Sequence, residues 1–142
     1  MELKPTAKVA EALALAQREA PGAGNPEITP AHLALAIAEQ PDTTTPALLT
    51  AGGTTVAAVA TAARAALAAL PRTTGSSVAT PGLGQAALQV LQHAQTLMQA
   101  MGDTILSTDG LLLALVEKGA VKAAAKAVQE HSRTLRGGHK VT

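Results

Sequence analysis

The chain contains no Phe, Tyr, Trp or Cys. The missing cysteine excludes disulfides and thiolate sites and suits a reducing cytosol. The missing aromatics remove the platforms on which nucleic-acid bases stack. They also remove the largest core side chains, so Ala, Leu, Val, Ile and three Met must do the packing. Each of these buries less area than a ring, and stability must come from many short contacts and high helix propensity. Charge is sparse and balanced, with 11 basic against 10 acidic residues and a net charge of +1. No basic stripe offers itself to phosphate, which argues against nucleic acid as a partner. No apolar run reaches the ~18 residues that a membrane span needs, and the start of the chain lacks a signal pattern. A cytoplasmic protein without a membrane partner is expected. The 142 residues suffice for one domain.

Catalytic signatures are also missing. No glycine-rich loop runs into Lys-Ser/Thr, so the chain has no nucleotide site of its own. No Ser, His and Asp set comes with a nucleophile elbow. The four histidines, His32, His93, His131 and His139, lack a ligand-like partner one helical turn on and read as structural or solvated, so no metal is expected. Asp103 and Asp109 lie close in sequence, but a turn after Gly102 and the first turn of a helix account for them. Met98 reads as core, and Met101 as more ambiguous. The chain is expected to be neither an enzyme nor a cofactor binder.

The strongest positive feature is a repeat. Residues 9–39 recur as residues 87–117 at a constant offset of 78 positions. Leu13 meets Leu91, Ala16 meets Ala94, Gln17 meets Gln95, Leu33 meets Leu111, and Leu35-Ala36 meets Leu113-Ala114. Such a long period marks a duplicated helical unit rather than a solenoid turn. We expect an all-α single domain of two pseudo-twofold repeats, each with about four helices, and Leu13, Leu33, Leu91 and Leu111 in a shared core.

Punctuation along the chain divides it further. Thr6 caps a first helix to about Glu19, with Val9, Leu13, Ala16 and Ala20 on one face. Thr29-Pro30 opens a second helix, Thr45-Pro46 a third that Gly52-Gly53 stops. A fourth carries Val56, Val59, Ala63, Leu67 and Leu70 and ends at Pro71. The second copy brings a helix with Leu88, Leu91, Ala94, Leu97 and Met98. Ser107 caps the next, and a last helix covers Val121 to about Arg133. Repeat one spans about 6–70, a Ser/Thr/Gly-rich linker 71–81, and repeat two about 82–135. A domain over 1–136 with a flexible tether at 137–142 is expected.

Several segments together resemble the Clp amino-terminal repeat domain. They are Gly24-Asn-Pro-Glu-Ile-Thr-Pro-Ala-His-Leu33-Ala-Leu-Ala-Ile37, Pro46-Ala-Leu-Leu49-Thr-Ala-Gly-Gly53, Ala69-Leu-Pro71 with its polar linker, and Gly102-Asp-Thr-Ile-Leu-Ser-Thr108. The asymmetry between the copies looks like the ClpB type. Arg136-Gly-Gly-His-Lys-Val-Thr142 looks like the start of a linker to an ATPase module. The resemblance implies a non-enzymatic domain of a stress-response disaggregase chaperone. Such a domain binds unfolded or aggregated polypeptide weakly and passes it to an ATPase ring, with adaptor proteins as further partners. Carried over residue by residue, it implies substrate-binding roles for Thr6, Asp103 and Asp109, with Leu91 and Leu97 walling an apolar groove. Asp109 stands where the family usually has Glu, and Gly110 where it has a larger residue; both bear on groove depth. The isolated chain is expected to be a monomer, hexamers belonging to ATPase modules. Other readings are a freestanding adaptor-docking or decoy protein, and an aromatic-free scaffold without binding activity.

Overall fold

The computed structural model describes residues 4–22, 27–40, 42–70, 82–102 and 105–137. Seven helices are found among these residues: α1 (Ala7–Gly22), α2 (Pro30–Glu39), α3 (Thr45–Ala51), α4 (Val56–Ala68), α5 (Gln85–Ala100), α6 (Thr108–Glu117) and α7 (Ala125–Gly137). The expected linker at 71–81 and the end of the chain beyond 137 lie outside the described residues.

The duplication is written into the backbone. Thr6 N–H donates to the Leu106 carbonyl at 2.9 Å, and Leu106 N–H donates to the Lys4 carbonyl at 2.8 Å. The same pattern recurs with the copies exchanged: Gly84 N–H to the Ile28 carbonyl at 2.9 Å, and Ile28 N–H to the Gly82 carbonyl at 3.0 Å. Adding 78 to Lys4 and Thr6 and subtracting it from Leu106 turns one set into the other. Each repeat therefore lays the residues before its first helix against the turn before the second helix of the other repeat. These two parallel bridges, Pro5 with Leu106 and Ile28 with Leu83, are clasps across a pseudo-twofold axis. Near that axis α2 meets α6 and α3 meets α7, each pair being sequence equivalents or nearly so.

The core follows the helical spacing with local shifts. Leu33, Leu91 and Leu111 have no exposed surface, as expected, whereas Leu13 is only partly buried. On α1 the buried face runs through Val9, Ala12 and Ala16. On α5 it runs through Ala87, Val90, Leu91, Ala94 and Met98, leaving Leu88 41% exposed. On α1 the stripe is rotated from the expected one, with Ala12 fully buried and Leu13 only partly so. The helix α6 is buried along nearly its whole length, from Thr108 to Val116.

Among the described residues the two copies are not equal: the first has four helices and the second three. The cause is legible at one place. Gly52-Gly53 ends α3, and Gly53 adopts a φ of +85°, a conformation other residues rarely take. The positions 78 residues on are Glu130 and His131, which continue α7 without a break. Repeat two thus runs one helix through the space of a turn, and no match to α4 is found among the described residues.

Candidate functional site

The expected site residues fall into two groups. Thr6 caps α1, its Oγ1 accepting the Val9 N–H at 3.3 Å, and is half-buried. Leu97 is also half-buried on the last turn of α5. These two keep exposed surface, and Ile105, 45% exposed beside the Thr6–Leu106 clasp, joins them as a residue the sequence did not flag. Asp103 lies outside the described residues.

Leu91 and Asp109 are placed differently from the expected groove wall and rim. Leu91 has no exposed surface, and Asp109 is 4% exposed. The Ser107 hydroxyl donates to one oxygen of the Asp109 carboxylate and the Ser132 hydroxyl to the other. Ser107 stands at the N-cap of α6, but its hydroxyl turns to this carboxylate instead of capping the helix. The physical reason is local. With Thr108 opening α6, position 109 faces inward towards α7, and two hydroxyls meet the acceptor capacity of the carboxylate there. The knot fastens α7 to the start of α6.

Gly110 leaves no hole. A Cβ added there would lie 2.6 Å from Met98 Cε and 2.7 Å from its Sδ. Met98 fills the room that the missing side chain vacates. Repeat one makes the opposite exchange at the same two positions, with Ala20 for Met98 and His32 for Gly110.

Repeat one holds an apolar cleft that His32 helps to line. About 70 Å³ in volume, it lies between α1, α2 and α4, lined by Leu15, Ala16, Glu19, His32, Leu35, Ala36, Glu39 and Leu67. Leu15, Leu35 and Leu67 keep part of their surface exposed, and Ala16 and Ala36 form a closed bottom. His32, 3% exposed, is the N3 residue of α2, and its Nδ1 accepts the Thr29 N–H at 2.9 Å. Burial pushes the His32 pKa below 6.5, so the ring stays neutral at pH 7. Glu19 and Glu39 flank the opening, with Arg64 Nη2 3.2 Å from Glu39 Oε2. In repeat two the corresponding residues do not repeat this opening. Leu113 is fully buried where Leu35 is not, and His93 Nε2 meets Glu117 Oε1 at 3.1 Å. Of the expected groove residues of repeat two, Leu97 alone has its repeat-one counterpart, Glu19, in the lining of the cleft.

The described residues contain no group of three or more His, Asp or Glu able to hold a metal ion. Among them no single helix is long and apolar enough to cross a membrane; α3 and α4 together have the composition but meet at a bend of 95°.

Residues 4–130 match the family model described as the Clp repeat (R) N-terminal domain. The chain belongs to this family. It is 42% identical over 120 residues to the chaperone protein ClpB of Corynebacterium diphtheriae, covering 84% of this chain and 14% of that protein. The ClpB of Propionibacterium freudenreichii subsp. shermanii is 41% identical over 114 residues, covering 80% of this chain and 13% of that one. The chain thus spans about one seventh of the length of these curated relatives. The same fold occurs in the Hsp104 N-terminal domain from Candida albicans, at a TM-score of 0.77 and 20% identity over 94% of this chain and 87% of that one. It occurs again in the N-terminal domain (1–163) of the ClpV1 ATPase from E. coli, at 0.76 and 23% over 93% and 85%. The Clp N-terminal domain is a non-catalytic domain of ClpB-type proteins.

Proposed function

We propose that this chain is the non-enzymatic, substrate-binding N-terminal domain of a cytoplasmic ClpB-type disaggregase, which weakly holds unfolded or aggregated polypeptide and passes it to an ATPase ring. The observation that carries this reading is the cleft between α1, α2 and α4, apolar inside and acidic at its edge, on a chain of the Clp N-terminal family. Unfolded polypeptide exposes aliphatic side chains that a folded protein hides. Burying one of them contributes about 1.5–3 kcal/mol, and ordering the bound segment costs about 0.5–1.5 kcal/mol for each immobilised side chain. Binding is therefore weak and broad, which suits a domain that must release what it holds. Thr6, Leu97 and Asp103 are further substrate contacts in this proposal, and the buried Leu91 and Asp109 serve through packing and hydrogen bonds within the domain. The isolated chain acts as a monomer.

An NMR titration of the whole chain with a permanently unfolded client tests the proposal. Progressive shifts are expected at the methyl groups of Leu15, Leu35, Ala36 and Leu67, with smaller ones at Thr6 and Leu97. A spectrum unchanged up to millimolar client would overturn it.

A further inference from the structure

We propose that the start of α2 is a proton-operated catch: when the His32 ring takes up a proton, the clasp of Ile28 with Gly82 and Gly84 loosens, while the clasp of Leu106 with Lys4 and Thr6 stays closed. In acid the two repeats then share one backbone clasp instead of two. The catch does not depend on polypeptide binding.

Catch and clasp share one peptide unit. Its carbonyl, from Ile28, accepts the Gly84 N–H at 2.9 Å. Its N–H, from Thr29, donates to His32 Nδ1 at 2.9 Å. A peptide unit is planar, so its two ends turn together. His32 thus fixes the orientation in which the Ile28 carbonyl faces Gly84. A ring nitrogen that accepts an N–H carries no proton of its own, which places the proton of the neutral ring on Nε2. A proton added at Nδ1 sets two N–H groups against each other. Nδ1 can then donate to the Thr29 hydroxyl, 2.9 Å away, but the Thr29 N–H has lost its acceptor.

The surroundings oppose a charged ring. His32 is 3% exposed and lines the cleft with Leu15, Leu35 and Leu67. It stands in the first turn of α2, where a positive charge opposes the helix dipole. Around it, α3 carries no charged residue, and Arg64 of α4 is taken up by Glu39 of α2. On α5 and α6, His93 pairs with Glu117, and Asp109 binds two serines. Glu19 of α1 borders the cleft, and Glu27 lies against Gly84 at the clasp; both are exposed, where water screens them. A protonated ring therefore gains by turning out to water, and burial already holds its pKa low. Turning takes Nδ1 from Thr29 and frees the shared peptide unit to rotate. Repeat two has no such part. Gly110 stands where His32 does, so no ring holds the peptide unit between Leu106 and Ser107 from the third position of α6.

Hydrogen exchange of single amides in the full chain tests the catch, read by NMR between pH 7.5 and 5.0 and expressed as protection relative to an unstructured peptide. Protection of Ile28 and Gly84 should be whole above pH 6.5 and fall about tenfold by pH 5.0, because the open form takes a proton that the closed form excludes. Thr6 and Leu106 should hold theirs. In His32→Gln the side-chain oxygen can accept the Thr29 N–H without titrating, and Ile28 and Gly84 should stay protected throughout. The proposal is overturned if Ile28 and Gly84 keep their protection at pH 5.0, if both clasps lose it together, or if His32→Gln shows the parent's fall. The first two outcomes compare amides within the parent and need no variant to fold.

Discussion

Replacing Gly110 by Ala should change the sign of its effect according to what stands at position 98. Gly110 lies in the first turns of α6, where Ala is favoured over Gly by about 1 kcal/mol. Opposing this, the new methyl would sit 2.6 Å from Met98 Cε and 3.0 Å from its Cγ, so nearly the whole Met98 side chain must move. Met98 is 1% exposed and has little room to move into, and overpacking of this kind costs about 1–3 kcal/mol. Gly110→Ala should therefore destabilise the protein by about 1 kcal/mol net. Met98→Ala alone should cost about 2–4 kcal/mol through the cavity it leaves. In that background the added methyl enters empty space, and Gly110→Ala should stabilise by about 1 kcal/mol or more. The two changes are thus coupled by about 2 kcal/mol. Urea unfolding followed by far-ultraviolet circular dichroism measures all four members of the cycle, the chain having no aromatic residue for fluorescence. An effect of Gly110→Ala that agrees within about 0.5 kcal/mol in both backgrounds would refute the packing argument.

The remaining predictions concern the knot, the turn and the buried histidine. Asp109→Ala leaves the Ser107 and Ser132 hydroxyls without their shared acceptor and should cost about 3 kcal/mol in urea unfolding, with amide exchange rising first in α7. Gly52→Ala should be worse than Gly53→Ala. The first drives a methyl to 2.8 Å from Val128 Cγ2 and 3.0 Å from Ala123 Cβ, while the second only strains a positive φ in open space, by about 1 kcal/mol. Melting temperatures in the reverse order would show that the contact between α3 and α7 is less close than described. Burial holds the His32 pKa below 6.5, so between 6.5 and the lower folded value the unfolded chain binds a proton that the native protein does not. Its contribution is whole above pH 6.5 and lost as pH falls below it. His32→Gln keeps a side chain suited to the N3 position and should lose less stability than the parent between pH 7.5 and 5.5.

The duplication and the all-helical fold were legible because apolar identities at helical spacing recur at one offset, and two helices with matching faces pack alike. The clasps were not legible. Pro5, Ile28, Leu83 and Leu106 pair singly, and one residue carries no strand periodicity. That one helix of repeat two runs where repeat one turns could be read only by setting Glu130-His131 beside Gly52-Gly53. Which face of α5 turns inward was not legible, because α5 carries apolar residues around more than half its circumference and tertiary contacts alone leave Leu88 outside. The cleft escaped notice for a related reason. Leu15, Leu35 and Leu67 are ordinary aliphatic residues, and only the laying of α4 across α2 turns them into an opening. Asp109 showed as a helix-start carboxylate; that its partners would be two serines, one of them 23 positions away on α7, depended on where α7 lies.

The clasps have a consequence for the order in which the chain can fold. Gly82 and Gly84 can meet Ile28 once the second repeat has begun to emerge during synthesis. Lys4 and Thr6 must wait for Leu106, which lies most of the chain away. Lys4 and Thr6, made well before Leu106, are therefore among the last whose backbone is secured, and loop closure of that length slows folding beyond what a bundle of local helix pairs requires. Each half on its own would carry a bare backbone edge whose partner belongs to the other. Separately produced halves should remain poorly ordered alone and recover structure on mixing, since each brings the strand-like segment that the other lacks.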